Sequence, residues 1–138
     1  MSDFSNKNSL LDSADSTLPT LNYAVELQLL AAQVGFDWPD LDGVIAKIKE
    51  ELNEVIAETT IKDNRLRQQD EVGDLLLACT NLARHLNIDP ELALQEANQK
   101  FYQRFTTLEQ LATSSTLPLS QHSPEQLDAL WNEVKKRL

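Results

Sequence analysis

Cysteine occurs once in this chain, at Cys79, so no disulfide framework forms within one copy. That economy fits a reducing cytoplasm, and Cys79 falls on an apolar stripe that predicts a core position. Only three glycines and five prolines punctuate 138 residues, and aromatics make up 6%. A β-rich fold would need more turn residues and more β-branched runs, so the composition points to an all-α protein. No apolar run approaches the roughly 18 residues of a membrane span. The N-terminus has no basic segment followed by an apolar one, so no signal peptide is expected. Cations are scarce as well: 12 Lys and Arg stand against 22 Asp and Glu, leaving a net charge of −10. Such a field repels nucleic acid polymers and anionic membrane surfaces. A small anionic substrate is admitted only where metal ions and local cations overturn that field.

Several chemical signatures are missing too. There is no Gly-rich phosphate loop, and no Ser/His/Asp or Cys/His nucleophile arrangement. His85 and His122 are isolated, and neither lies three residues after a candidate carboxylate. The Glu-x-x-His pattern of di-iron bundles is therefore absent, which disfavours a metal-storage reading. If the chain is an enzyme, bound metal ions do the activating.

What is present is helical periodicity in one modest domain's worth of chain. Residues 1–18, rich in Ser, Asp and Asn, read as a disordered leader ahead of a single domain over residues 19–138. Pro19 opens a helix that Gly35 stops. Phe36 and Trp38, in the linker GFDWPD, are expected to plug the end of the core. A second helix starts at Asp42 as N-cap and ends near Thr60. A third runs over residues 64–86, with Asn87 as a left-handed C-cap. Asp89 and Pro90 begin a fourth, to Ala112, with Leu94, Ala97, Phe101, Phe105 and Leu108 facing inward. Ser123, Pro124 and Gln126 make a capping-box start to the fifth. Five helices with short connections predict a helical bundle.

Two acid pairs stand out: Glu51 and Glu54 in KIKEELNEV, and Glu71 and Asp74 in QQDEVGDLL. Each pair is spaced i, i+3 and so projects from one helical face. Ile45, Ile48, Leu52, Val55 and Ile56 make the apolar stripe beside the first. Val72, Leu75, Leu76, Cys79, Leu82, Ala83 and Leu86 make that beside the second. At 100° per residue, Glu51 and Glu54 lie roughly 80° and 140° from their stripe centre, and Glu71 and Asp74 fall at the same offsets. The short connection makes the two helices antiparallel. Packed stripe to stripe, they carry both acid pairs to one side of the hairpin. Converging carboxylates repel, and a hard cation such as Mg²⁺ or Mn²⁺ relieves that repulsion. With 22 acidic residues, the same spacing is also what ordinary solvated faces produce.

Cations sit at helical spacing too. Lys100 and Arg104, at i, i+4, share a face beside Phe101 and Phe105; they are either common ion-pair partners or a phosphate clamp. Lys47, four residues before Glu51, is placed to support that carboxylate or to reach a phosphate. Trp131 and Lys135 repeat the i, i+4 arrangement, as a base-stacking face with a phosphate-binding ammonium or as a core plug. Leu77 lies outside the main stripe of its helix and predicts apolar surface for a second copy.

These residues, taken together, resemble the MazG family of nucleoside triphosphate pyrophosphohydrolases, all-α enzymes with E-E-x-x-E followed by E-x-x-D. Here the motifs read Glu50-Glu51-Leu52-Asn53-Glu54 and Glu71-Val72-Gly73-Asp74. VGFDWPDLDGV, EVGDLLLACTNLARHLNIDPELALQEANQKFYQRF and LWNEVKK also look like the C-terminal catalytic domain of MazG. The likeness runs from about Leu21 to the end of the chain. It implies hydrolysis of NTP or dNTP to NMP and pyrophosphate. Glu51, Glu54, Glu71 and Asp74 would be Mg²⁺ ligands, and Glu50 a general base or an outer ligand. Lys47 to Glu51, Arg67 to Asp70, Lys100, Arg104 and Trp131 would line the nucleotide site; Lys135 is added on its spacing from Trp131 alone. The resemblance also implies a homodimer or higher homo-oligomer. MazG proteins typically have two such domains, whereas this sequence spans one. The competing expectation is a non-catalytic helical module that binds nucleotide or protein through the same acidic face.

Overall fold

The computed structural model describes residues 8–138. Among them are five α-helices and no strand, as the composition predicts. The chain groups into two compact units, one ending at Glu91 and one running from Leu92 to Leu138. The first holds a 3-10 turn, Leu10–Ser13, and helices α1 (Thr20–Gln33), α2 (Leu41–Thr59) and α3 (Arg65–His85). The second holds most of α4 (Pro90–Thr113), a 3-10 turn at Leu119–Gln121 and α5 (Pro124–Arg137).

Helix ends fall within a residue or two of those read from the sequence, because the stop and start chemistry is local. Gly35 follows α1 at φ +86, and Asn87 follows α3 at φ +57, both left-handed. Asp89 Oδ1 accepts from the backbone N–H of Glu91 at the head of α4. Ser123 and Gln126 form the expected reciprocal box on α5. One cap is corrected. Asp40, not Asp42, caps α2, with its Oδ1 accepting from Asp42 N at 3.1 Å and Gly43 N at 3.4 Å. Asp42 instead sits in the first turn, where its charge suits the helix dipole. Of the expected leader, residues 1–7 lie outside the described residues. Residues beyond them form the Leu10–Ser13 turn, capped by Ser9 and Asp12, and Asp15 N donates to Glu26 of α1 at 2.7 Å.

In the first unit, side-chain pairings run in reverse order along neighbouring helices, so each pair is antiparallel. Along α1 and α3, Asn22 pairs with Asp89 and Gln28 with the Leu77 carbonyl. From α2 to α3, Glu58 meets Asn64 and Arg67, while Glu51 meets Glu71 and Asp74.

The rotation of the hairpin differs from expectation. Val44, Ile48, Glu51, Val55 and Glu58 form one line of buried and half-buried positions on α2, and Gln68, Glu71, Leu75, Ala78, Leu82 and His85 form one on α3, where Thr80, Asn81, Ala83 and Arg84 are covered as well. Both lines alternate in steps of three and four, the spacing of a packed helical seam. Glu51 and Glu71 therefore stand on the seam itself, and Glu54 and Asp74 are exposed beside it. Ile45, Leu52, Ile56, Val72 and Leu76, expected inside, are exposed. Cys79 is exposed for the same reason, with Ala78 taking the buried position beside it. The rotation is set at Glu58, whose carboxylate receives Asn64 Nδ2 and, at 3.4 Å, Arg67. The Glu58 carbonyl accepts from Asn64 Nδ2 and Gln68 Nε2, each at 3.0 Å.

In the second unit, Leu108, Ala112 and Val134 are buried. The Phe101 ring stacks on Phe105 at 6.2 Å and tilts against Trp131 at 5.8 Å. Of the inward stripe expected on α4 only Leu108 is buried; Leu94, Phe101 and Phe105 are exposed.

Candidate functional site

The α2–α3 seam brings the two acid pairs together. Ligand oxygens of Glu50, Glu51 and Glu54 lie within 4.8 Å of one another, as do those of Glu51, Glu71 and Asp74. Glu51 belongs to both groups and is only 5% exposed. Its Oε1 accepts from Lys47 Nζ at 2.9 Å. Among the described residues, its Oε2 is buried without a hydrogen-bond partner, and so is Oε2 of Glu71. Two neighbouring buried acceptors without donors are costly as they stand. An oxygen-only donor set with unsatisfied lone pairs fits a hard divalent cation, and this cluster could hold one. Glu54 reports the crowding. A hydrogen bond shared with Glu71, then the charge of Glu51, pushes its carboxyl up to about 7.

Lys47 takes the first of its two expected roles. Its ammonium bridges Glu51 and Glu50, the latter at 3.5 Å, and the Glu51 hydrogen bond raises its pKa. Of the segment before Glu71, Arg67 and Gln68 hold Glu58, and Asp70 is exposed one residue before the cluster. Lys100, Arg104, Trp131 and Lys135 belong to the second unit. There Lys100 and Lys135 are exposed, and Arg104 has a buried Nε without a partner among the described residues. Trp131 packs on Phe101 and, with Phe105 and Leu127, borders an open groove of about 360 Å³.

A larger cavity, about 790 Å³, belongs wholly to the first unit. Glu51, Asp74 and Lys47 line it together with Gln28, Asn81 and Arg84. Phe36 and Trp38, expected to plug the core, border this cavity instead, and Leu77 lines it too. The linker is pinned by one oxygen of Asp37, which accepts from Arg84 Nη2 at 2.5 Å and pairs with His85 Nε2 at 2.8 Å. The Arg84 guanidinium holds the Asp37 carboxyl down at about 2. Sequence reasoning passed over Gln28, Asp37, Asn81 and Arg84, which follow no motif. Glu58 was legible in principle, since it continues the three-and-four spacing of Val44, Ile48, Glu51 and Val55.

No protein-family profile matches the chain. Curated relatives do. A protein of Thermotoga maritima named nucleoside triphosphate pyrophosphohydrolase/pyrophosphatase MazG is 42% identical over 129 residues, covering 94% of this chain and 49% of that protein. The nucleoside triphosphate pyrophosphohydrolase of Escherichia coli K12 is 38% identical over 133 residues, covering 95% of this chain and 50% of its own length. The uncharacterized protein YabN of Bacillus subtilis is 41% identical over 130 residues, 27% of its length. The chain thus spans about half the length of the first two relatives. Over nearly all of its own length, it is a homologue of MazG and of proteins named nucleoside triphosphate pyrophosphohydrolase.

Proposed function

We propose that this chain is a Mg²⁺-dependent nucleoside triphosphate pyrophosphohydrolase, with Mn²⁺ as an alternative ion. The observation that carries this is the pair of buried, partnerless carboxylate oxygens on Glu51 and Glu71, with Glu54 and Asp74 beside them. The names of the relatives point the same way. Glu51, Glu54, Glu71 and Asp74 are the proposed metal ligands. Bound there, the ion supplies positive charge against the triphosphate and the developing charge of the transition state.

The chain's own residues do the rest. Water attacks the α-phosphorus, a new P–O bond forms, and the bond from the α-phosphorus to the bridging oxygen breaks. Its electron pair leaves with pyrophosphate, and NMP is the other product. Glu50, exposed at the rim of the cluster, accepts the proton of the attacking water or holds that water through a hydrogen bond. Lys47 fixes the Glu51 carboxylate and, with Asp70, is a proposed nucleotide contact of the first unit; Lys100, Arg104, Trp131 and Lys135 are the nucleotide contacts proposed for the second. The exposed apolar flank of Ile45, Leu52, Ile56, Val72 and Leu76 supports a homodimer, and the single cysteine a cytoplasmic setting.

Replacing Glu51 by Gln or Asp74 by Asn is expected to reduce pyrophosphate release from mixed NTPs by more than the roughly 100-fold that loss of an outer-shell partner of a metal can cost. The far-ultraviolet circular dichroism should be unchanged. Mg²⁺ should raise the melting temperature of the wild type and leave that of either variant in place. Turnover that survives both substitutions, or that ignores EDTA, would overturn the proposal.

A further inference from the structure

The α2–α3 hairpin keeps one register over two helical turns. Glu58 of α2 faces Asn64 at the head of α3, whose Nδ2 donates to its Oε2. Seven residues back along α2 and seven forward along α3, the same register sets Glu51 against Glu71. Seven residues are close to two full turns, so each helix presents nearly the same face at both places. We propose that Glu58 is a positioning residue for the metal-binding cluster: its clamp fixes the rotation of α3 that brings Glu71 and Asp74 to Glu51. The proposal rests on the metal-dependent activity above and names what holds its ligands in place.

Glu58 acts on the cluster from outside it. It stands about 10 Å along the helix axis from Glu51, and it belongs to neither group of converging carboxylates. It is nonetheless only 8% exposed. Beyond the Asn64 hydrogen bond, its Oε1 meets Arg67 Nη2 at 3.4 Å. Its backbone carbonyl accepts from Asn64 Nδ2 and Gln68 Nε2, each at 3.0 Å. Three residues at the start of α3 thus converge on one residue of α2. Gln68 precedes Glu71 by three positions and Arg67 precedes it by four, so the groups that Glu58 holds share a face with the candidate ligand. A rotation of α3 that released them would carry Glu71 off the seam as well.

The clamp works against a competing preference. Ile45, Leu52 and Ile56 of α2 and Val72 and Leu76 of α3 are exposed, and turning them inward would bury apolar surface. That packing would strip the Glu58 carboxylate of Asn64 and Arg67. A buried carboxylate without its donors is costly, so the clamp disfavours the apolar alternative. The dependence also runs the other way. A cation held by Glu51, Glu71 and Asp74 favours the same rotation, so metal and clamp support each other.

Mn²⁺, followed by its electron paramagnetic resonance signal, reports on the cluster without turnover. Glu58→Leu and Asn64→Ala should each weaken Mn²⁺ binding by about 10- to 100-fold, the range for lost outer partners of a metal. The double variant should bind little worse than either, because both substitutions break one clamp. Glu58→Gln, which keeps an acceptor for Asn64, should lose less. In turnover, the Mg²⁺ concentration giving half the maximal rate should rise by a similar factor. At saturating Mg²⁺, kcat should stay within about threefold of wild type, since excess metal restores the rotation. Val134→Ala opens a cavity in the second unit's core, so it lowers stability and should leave Mn²⁺ affinity unchanged. Wild-type Mn²⁺ affinity in both Glu58→Leu and Asn64→Ala would overturn the inference, as would an equal loss in Val134→Ala. If the clamp variants weaken Mn²⁺ binding while no NTP releases pyrophosphate from the wild type, the positioning role stands and the proposed activity falls.

Discussion

Asp37 shows how one atom can secure a wall of the cavity. Its Oδ1 meets both Arg84 and His85 at the end of α3, and the carboxyl is lowered to about 2 from an ordinary value of 3.8. A depressed carboxylate contributes stability above its unfolded pKa and loses it as pH falls toward the folded one. The window is therefore about pH 4 down to about 2. Wild type should be more stable than Asp37→Asn by a constant margin above pH 4, and the margin should close by pH 2. Thermal melts of both proteins across that range check it. A gap that persists undiminished at pH 2 would mean that the pairing is not what holds the linker.

At the level of the helix, α3 carries a glycine where a helix former would be expected. Gly73 lies between the ligand candidates Glu71 and Asp74, and a Cβ built there meets nothing within 4 Å. Glycine inside a helix costs about 0.5–1 kcal/mol relative to alanine. Gly73→Ala should therefore stabilise the protein by about that much, read as a higher urea midpoint with an unchanged slope. Pyrophosphate release measured on the same variant tells whether a substrate uses the open space. Helix existence, the caps at Ser123 and Asp89 and the left-handed Asn87 were legible in the sequence, because each depends on a few adjacent residues. The rotation of the hairpin was not. Apolar stripes centred on Leu52 and Leu76 suggest one seam, whereas the clamp on Glu58 by Asn64, Arg67 and Gln68 selects another. That clamp is made by polar side chains from both ends of a turn, where apolar periodicity carries no signal. The convergence of Glu51, Glu54, Glu71 and Asp74 survived because both lines of packing keep the two helices antiparallel. The Gln28 and Asn81 wall needs α1 against α3, a long-range pairing that no local spacing announces.

For the molecule as a whole, the flank left outside the seam is an apolar feature that the fold of one copy does not cover. Ile45, Leu52, Ile56, Val72 and Leu76 are between 40% and 56% exposed. Covering such a face with its counterpart in a second copy removes it from water at about 25 cal/mol per Å² of apolar surface. Light scattering should give at least twice the chain mass of 15.6 kDa, and Leu52→Lys should shift the species toward a single chain. A single-chain mass for the wild type at micromolar concentration would rule the pairing out. The same oily flank bears on how the chain is made. A newly synthesised copy leaves the ribosome with that flank wet, open to whatever apolar surface it meets first. Crowded, slow or sparse production should therefore be punished by clumping long before any defect in the acid cluster is felt.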